Sequence, residues 1–170
     1  MTMPPRVFLH YLDRLDHLLQ CVGTFDPAVA AKRLHPGMAP LLQQARTAIG
    51  FTLRVCCPLA GRDIVSFQGD DFTLDGVRGE LARTAAYLRD LPAEAFDEVF
   101  DNAASRQVDT VAGFAELRLD GPDYFLLYGL PNFFFHFSMV YAIARQAGVP
   151  VGKADFDGFH AYPAGFSFPA

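Results

Sequence analysis

Residues 122–147, PDYFLLYGLPNFFFHFSMVYAIARQA, are apolar almost all round, and Gly148-Val149-Pro150 ends the run. Rings and branched side chains on every face leave no polar stripe for solvent, so the stretch reads as a central, strongly buried helix. Such a helix needs partners, and three upstream segments supply them. Phe8, Leu12, Leu15, Leu19 and Val22 recur at spacings of four and three, the seam of a bundle helix. Met38 to Leu59 carries Leu41, Ala45, Ala48, Ile49, Thr52 and Cys56 along one face, with Pro58 and Gly61 at its end. Leu74, Val77, Leu81, Ala85 and Leu88 mark a third helix that stops before Pro92.

The intervening segments lack that period. Gly23, Asp26 and Pro27 interrupt the first helix, and Pro27 opens a short extra helix towards Leu34, followed by the loop His35-Pro36-Gly37. Arg62 to Asp71 has no repeat. Asp109 to Asp120, with Val111, Phe114, Leu117 and Leu119, predicts a strand pair turning around Gly113. A tail rich in Gly, Phe and Pro, from about 156 to 170, is expected to be irregular. The expected fold class is therefore all-α. It is an up-and-down four-helix bundle with one short extra helix and a small β-hairpin before the last long helix, formed by residues 1–170 as a single domain.

Composition narrows the function classes. With 51% hydrophobic and 19% charged residues, 17 Phe and no Trp, the chain has material for one Phe-packed core and is not a disordered polyelectrolyte. A net charge of -5, a pI near 5.4 and 14 scattered Lys and Arg give no basic stripe, so nucleic acid is not an expected partner. The first residues, Met1-Thr-Met-Pro-Pro-Arg6, do not form a signal sequence, and we expect no run of about 18 apolar residues. No membrane partner and a cytoplasmic location are expected. Cys21, Cys56 and Cys57 are an odd set that reads as reduced, small buried residues; a redox or soft-metal pair at Cys56 and Cys57 lacks a second cysteine cluster.

Several motifs are missing. Gly76 and Gly79 do not open a nucleotide loop, and Asp70, Asp71, Asp75, Glu94, Asp97, Glu98 and Asp101 lack the spacing of a calcium loop, so they read as solvated charges. Ser66, Ser105, Ser138 and Ser167 occur without a nucleophile elbow.

Three stretches, AKRLHPGMAPLLQQ at 31–44, LPNFFFH at 130–136 and GVPVGKAD at 148–155, carry a family resemblance in that order. Over residues near 5 to 158 the chain resembles domain-of-unknown-function family nineteen-ninety-three, a bacterial branch of the DinB/YfiT-like superfamily. The resemblance implies a four-helix bundle, often dimeric. The superfamily's better-known members are metal-dependent transferases and isomerases acting with small thiols, and this branch has no assigned activity. In its metal-binding members three histidines hold a divalent ion, two of them one turn apart on the last helix and one on the second helix. Here the matching turn carries Asn132 and His136, and an amide binds first-row metals poorly. The second helix has no histidine; its polar residues are Gln43, Gln44, Arg46, Thr47, Thr52 and Arg54. His10 and His17 lie opposite the first helix's apolar stripe and should face solvent, while His35 and His160 read as surface residues. No metal ligand set is therefore expected, the alternative being a divalent ion held weakly near His136 with carboxylate help.

The remaining candidates cluster on the last helix. Tyr128, Asn132, Phe135, His136 and Met139 occupy neighbouring turns, and Gln44 sits at the edge of the second helix's buried face. Together they suggest a small-molecule pocket, with His136 as catalytic acid or base and the others as ligand-binding residues. The same groups equally suit a buried hydrogen-bond network, with Asn132 bonding locally after Pro131. Phe133, Phe134, Phe135 and Tyr141 cover several helix faces, which suits full burial or a homodimer to which Phe156 to Phe168 adds. Two functions follow: a metal-free small-ligand-binding or dimeric assembly protein, or a divalent-metal-dependent transferase or isomerase acting with a small thiol.

Overall fold

Helix α1 (Pro5–Phe25) begins at a proline, whose missing N–H costs nothing in a first turn, and its predicted seam from Phe8 to Val22 is fully buried. The Asp26 carboxylate accepts from Ala28 N–H at 2.9 Å and turns the chain into a 3-10 turn, Pro27–Ala31. Helix α2 (Leu41–Leu59) and helix α3 (Leu74–Arg89) follow, the latter capped by the Thr73 hydroxyl, which accepts from Gly76 N–H. A 3-10 turn (Ala93–Phe96) precedes an antiparallel hairpin of β1 (Gln107–Ala112) and β2 (Ala115–Asp120), in register at Ala112↔Ala115. Gly113 takes φ 62° in its turn, as the spacing predicts. Helix α4 (Gly121–Gln146) is the long apolar helix, and a short α5 (Lys153–Asp157) ends the described elements. The computed structural model describes residues 3–97, 99–100, 106–163 and 166. Glu98, Asp101, Ser105, Ser167, Phe168 and most of the tail past 163 lie outside the described residues.

The chain is mainly helical, with the four long helices around one core, but their order of direction departs from a simple up-and-down path. Asp16 of α1 pairs with Arg78 of α3 at 2.7 Å, and Gly23 lies beside Leu74, so α1 and α3 run antiparallel. Leu19, Leu42 and Leu74 line one cavity, which gathers the end of α1 and the starts of α2 and α3. Helices α2 and α3 are therefore parallel, where consecutive hairpin-connected helices would be antiparallel. The cause is the 60–73 segment. Extended chain rises roughly 3.3 Å per residue against 1.5 Å in a helix, so this strap is long enough to return along the full length of α2 before α3 begins.

The strap is tied down by charge. Glu80, only 2% exposed, pairs with Arg46 of α2, and its carboxylate also accepts the Gly69 N–H at 3.0 Å. Arg46 donates on to the carbonyls of Gly69 and Asp71, and lies 4.4 Å from the centre of the Phe72 ring. Arg83 takes the Phe67 carbonyl at 3.3 Å.

Helices α2 and α4 run antiparallel and come into tight contact at Gly129. A Cβ there would come within 2.5 Å of Val55 Cγ2, a stiff β-branched group with nowhere to move. Around that contact α4 widens into a π-helical turn (Tyr124–Gly129), with Leu130 N–H reaching the Phe125 carbonyl. The wide turn precedes Pro131, which has no N–H to offer the carbonyl four residues back and whose ring would crowd it.

Four expectations are corrected here. Helix α4 is not buried on every side: Leu126, Leu127 and Phe135 are 48%, 68% and 52% exposed, because a uniformly apolar sequence does not say which faces meet partners. The same helix is long and apolar enough to pass for a membrane span by length and composition, since scattered polar residues interrupt the run without offsetting its mean hydropathy. It packs against α1 and α2. His10 and His17 do not face open solvent. His10 Nε2 lies 2.8 Å from the Asp157 carbonyl, and His17 Nε2 lies 2.7 Å from Asp155 Oδ1, both under α5. The tail is also not irregular from 156: Phe156 ends within α5, where it packs on Tyr11, Phe137 and Tyr141 of its own chain. Cys21, Cys56 and Cys57 are free thiols, the last two fully buried.

Two stability outcomes follow. Arg46→Met strands the Glu80 carboxylate and should lower unfolding free energy in urea by about 3–5 kcal/mol, with Arg46→Met/Glu80→Leu losing far less. Gly129→Ala should cost about 1–3 kcal/mol by overpacking, and Val55→Ala in the same chain should recover part of it.

Candidate functional site

The antiparallel pairing of α2 and α4 brings Gln44, in the first turn of α2, against His136, with Oε1 and Nδ1 2.6 Å apart. Gln44 is 2% exposed, and its amide nitrogen donates to the Ala39 carbonyl at 3.3 Å. That bond fixes which end of the amide faces the ring. Oε1 only accepts, so Nδ1 carries the proton and Nε2 keeps the lone pair. Nε2 has no protein partner among the described residues. Burial pushes the His136 pKa below its ordinary value, which keeps the ring neutral at pH 7. The site thus presents a hydrogen-bond acceptor and proton acceptor of defined tautomer.

Aromatic rings set its walls. Phe51 stacks on the His136 ring at 5.7 Å and 23°, while Phe135 meets it edge-on at 5.1 Å from a half-exposed position. Phe51 also packs against Tyr128, and the Arg54 guanidinium lies over Phe51 at 5.2 Å. Arg54 donates to the Tyr128 hydroxyl at 3.3 Å, which in turn donates to the Val111 carbonyl of β1 at 3.4 Å. Three elements, α2, α4 and the hairpin, are therefore linked through one tyrosine.

The predicted residues divide into two groups. Gln44 and His136 bond directly, and Tyr128 joins them through Phe51. Asn132 turns its amide onto its own helix, donating to the Tyr128 carbonyl at 2.7 Å, and Met139 is half-buried one turn beyond His136. Phe51 escaped the sequence reading, and Arg54 stood there only among the polar residues of the second helix, not at the site. Phe51 lies seven residues, two turns, after Gln44, so it shares that helix face, a spacing that would have found it.

A metal of the kind that the sequence resemblance implies does not fit these residues. Gln44 Oε1 is engaged by Nδ1, the Asn132 amide by a backbone carbonyl, and one imidazole nitrogen is left. Catalytic zinc takes about three protein ligands, and amides are poor donors for first-row metals. Among the described residues no three of His, Cys, Asp and Glu converge on a point.

The His136 Cε1 proton should titrate in NMR with a midpoint below 6.5, and Gln44→Glu should move it upward by placing a carboxylate on Nδ1. Because the folded ring binds its proton less readily than the unfolded one, stability should fall as pH drops from about 7 through 6.5 towards the lower folded value. Above pH 7 the ring should contribute no pH dependence. Thermal melts at pH 7.5 and 5.5 should show a smaller difference for His136→Phe than for the parent.

The model of the family described as Domain of unknown function (DUF1993) matches residues 3–157. A comparison with curated proteins finds no match. The crystal structure of a DinB family member from Shewanella denitrificans is similar, with a TM-score of 0.79 and 23% identity over 97% of this chain and 93% of that one. With the family model matching nearly the whole chain, the chain belongs to the DUF1993 family, and it shares its fold with that DinB family member.

Proposed function

We propose that this chain is a cytoplasmic, single-domain four-helix bundle that works without a metal, binding a small hydrogen-bond-donating ligand at His136 and assembling as a twofold dimer. The observation that carries the reading is the bare Nε2 of a neutral, half-buried imidazole, fixed by Gln44 and flanked by aromatic rings. An acceptor so placed suits a hydroxyl, amide or thiol proton on a ligand, and the same lone pair suits general-base work if the ligand is a substrate. Phe51 and Phe135 lie against the ring, and Tyr128 packs behind Phe51.

The dimer reading rests on the outer face of α4. Leu127, Pro131 and Phe135 are four residues apart in turn, so their exposed side chains form one apolar stripe. Leu126 beside them and Val111 and Phe114 of the hairpin are exposed too, with Phe114 at its tip. A contiguous apolar surface of this kind marks an interface, and a twofold axis lets one stripe meet its own copy. Phe156 plays no part in it, since it packs on α1 and α4 of its own chain, whereas Phe159 stacks on His10 and stays 74% exposed. In such a dimer Phe135 of each chain borders both the interface and the His136 site.

Native mass spectrometry of untagged protein, with elemental analysis of the same sample, tests both claims. A dimer without stoichiometric metal is expected, and Leu127→Glu or Phe135→Glu should weaken dimerisation by about tenfold or more. Stoichiometric divalent metal lost in His136→Ala would overturn the metal-free reading, and a monomer at high micromolar concentration would overturn the dimer.

A further inference from the structure

We propose that the cavity between the end of α1, the Pro27–Ala31 turn and the start of α3 is a second binding site, for a small amphipathic organic anion. The cavity measures about 820 Å³, within the range of ligand pockets and large enough for a drug-sized molecule. Leu42 and Gln44 are two residues apart, roughly 200° round α2, so this site and His136 lie on different sides of that helix.

Its lining separates an apolar body from a charged edge. Leu19, Leu42 and Leu74 form the apolar floor, and Phe72 stands at the rim, held there over Arg46. Two arginines line the cavity, and they differ in kind. Arg78 is already neutralised, donating from both Nε and Nη2 to the Asp16 carboxylate, a bond that also raises its pKa. Arg33 is exposed, makes one bond, from Nη1 to the Met38 carbonyl at 2.7 Å, and pairs with no carboxylate among the described residues. Asp75, the acid of the lining, occupies the first turn of α3, where the helix N-terminus meets its charge. The uncompensated charge at the cavity is therefore the Arg33 guanidinium, with donors free for a planar anion. A concave apolar floor with one free cation at its edge suits a hydrophobic molecule bearing a single carboxylate, sulfonate or phosphate.

Fluorescence titration of the intact protein with anilinonaphthalenesulfonate, and with the neutral dye N-phenylnaphthylamine, reads this out. One sulfonate dye should bind per chain. Arg33→Gln, a change at an exposed position, should weaken it about tenfold, the worth of one charge-assisted hydrogen bond, while the neutral dye changes less than about twofold. Ala31→Trp and Thr24→Trp, from two different walls, should each block both dyes, with circular dichroism confirming the folded state of whichever is used. Three results would overturn the proposal: no saturable binding of the sulfonate dye, equal loss of both dyes in Arg33→Gln, or dye binding that survives both tryptophans and disappears in Phe135→Glu, which places the dye on α4.

Discussion

The Glu80 carboxylate meets Arg46 of α2 and the Gly69 N–H of the strap at once, in a position with almost no access to water. An ionised carboxylate there without its cation is several kcal/mol too costly to keep, so the strap cannot lift from α2 and α3 without exposing or stranding that charge. This one node holds the strap along the groove, and the strap fixes the direction of α3. The direction of α3 in turn gathers the starts of α2 and α3 beside the end of α1, which creates the large cavity with Arg33 at its edge. It also turns one side of α2 towards the strap and α3 and leaves the other for α4.

Helix α2 is consequently a two-sided element. Its α4 face is apolar and tight at Val55, where only a glycine fits opposite, and polar at its N-terminal end, where Gln44 reaches His136. The resemblance to metal-binding relatives implies an ion bridging the second and last helices. In this chain a hydrogen bond between neutral groups spans that gap. The substitution has a chemical consequence: an amide acceptor on Nδ1 selects one tautomer and leaves the far nitrogen electron-rich, without adding charge to a desolvated site.

The end of the chain acts on α1 in a different way. Asp155 is held below the usual carboxylate range: burial acts to raise it, but the Gly152 N–H and His17 outweigh that. His17 and His10 are thereby tied to α5, and Phe156 fills the gap between Tyr11 and Phe137. A face of α1 that reads as polar from its own spacing is thus covered by a segment about 140 residues away in sequence. The same segment partly withdraws Phe156 from the surface, while Phe159 beyond it stays 74% exposed.

Local spacing was enough to read most elements. The seam from Phe8 to Val22, the face from Leu41 to Cys56, the stripe from Leu74 to Leu88 and the turn at Gly113 all follow from periods of 3.6 and 2 and from glycine's access to positive φ. The sequence also brought Gln44 and His136 into one candidate site. What it did not contain was direction and cover. An amphipathic stripe has no polarity, so nothing between 74 and 88 says that α3 runs alongside α2. A helix that is apolar all round, as at 122–147, does not say which of Leu127, Phe133 and Phe135 will find a partner. Those outcomes were decided by contacts between residues far apart in the chain: Arg46 with Glu80, Val55 with Gly129, His17 with Asp155. Each depends on desolvation and close packing, which come into being only when the segments meet, and so they belong to the tertiary structure alone.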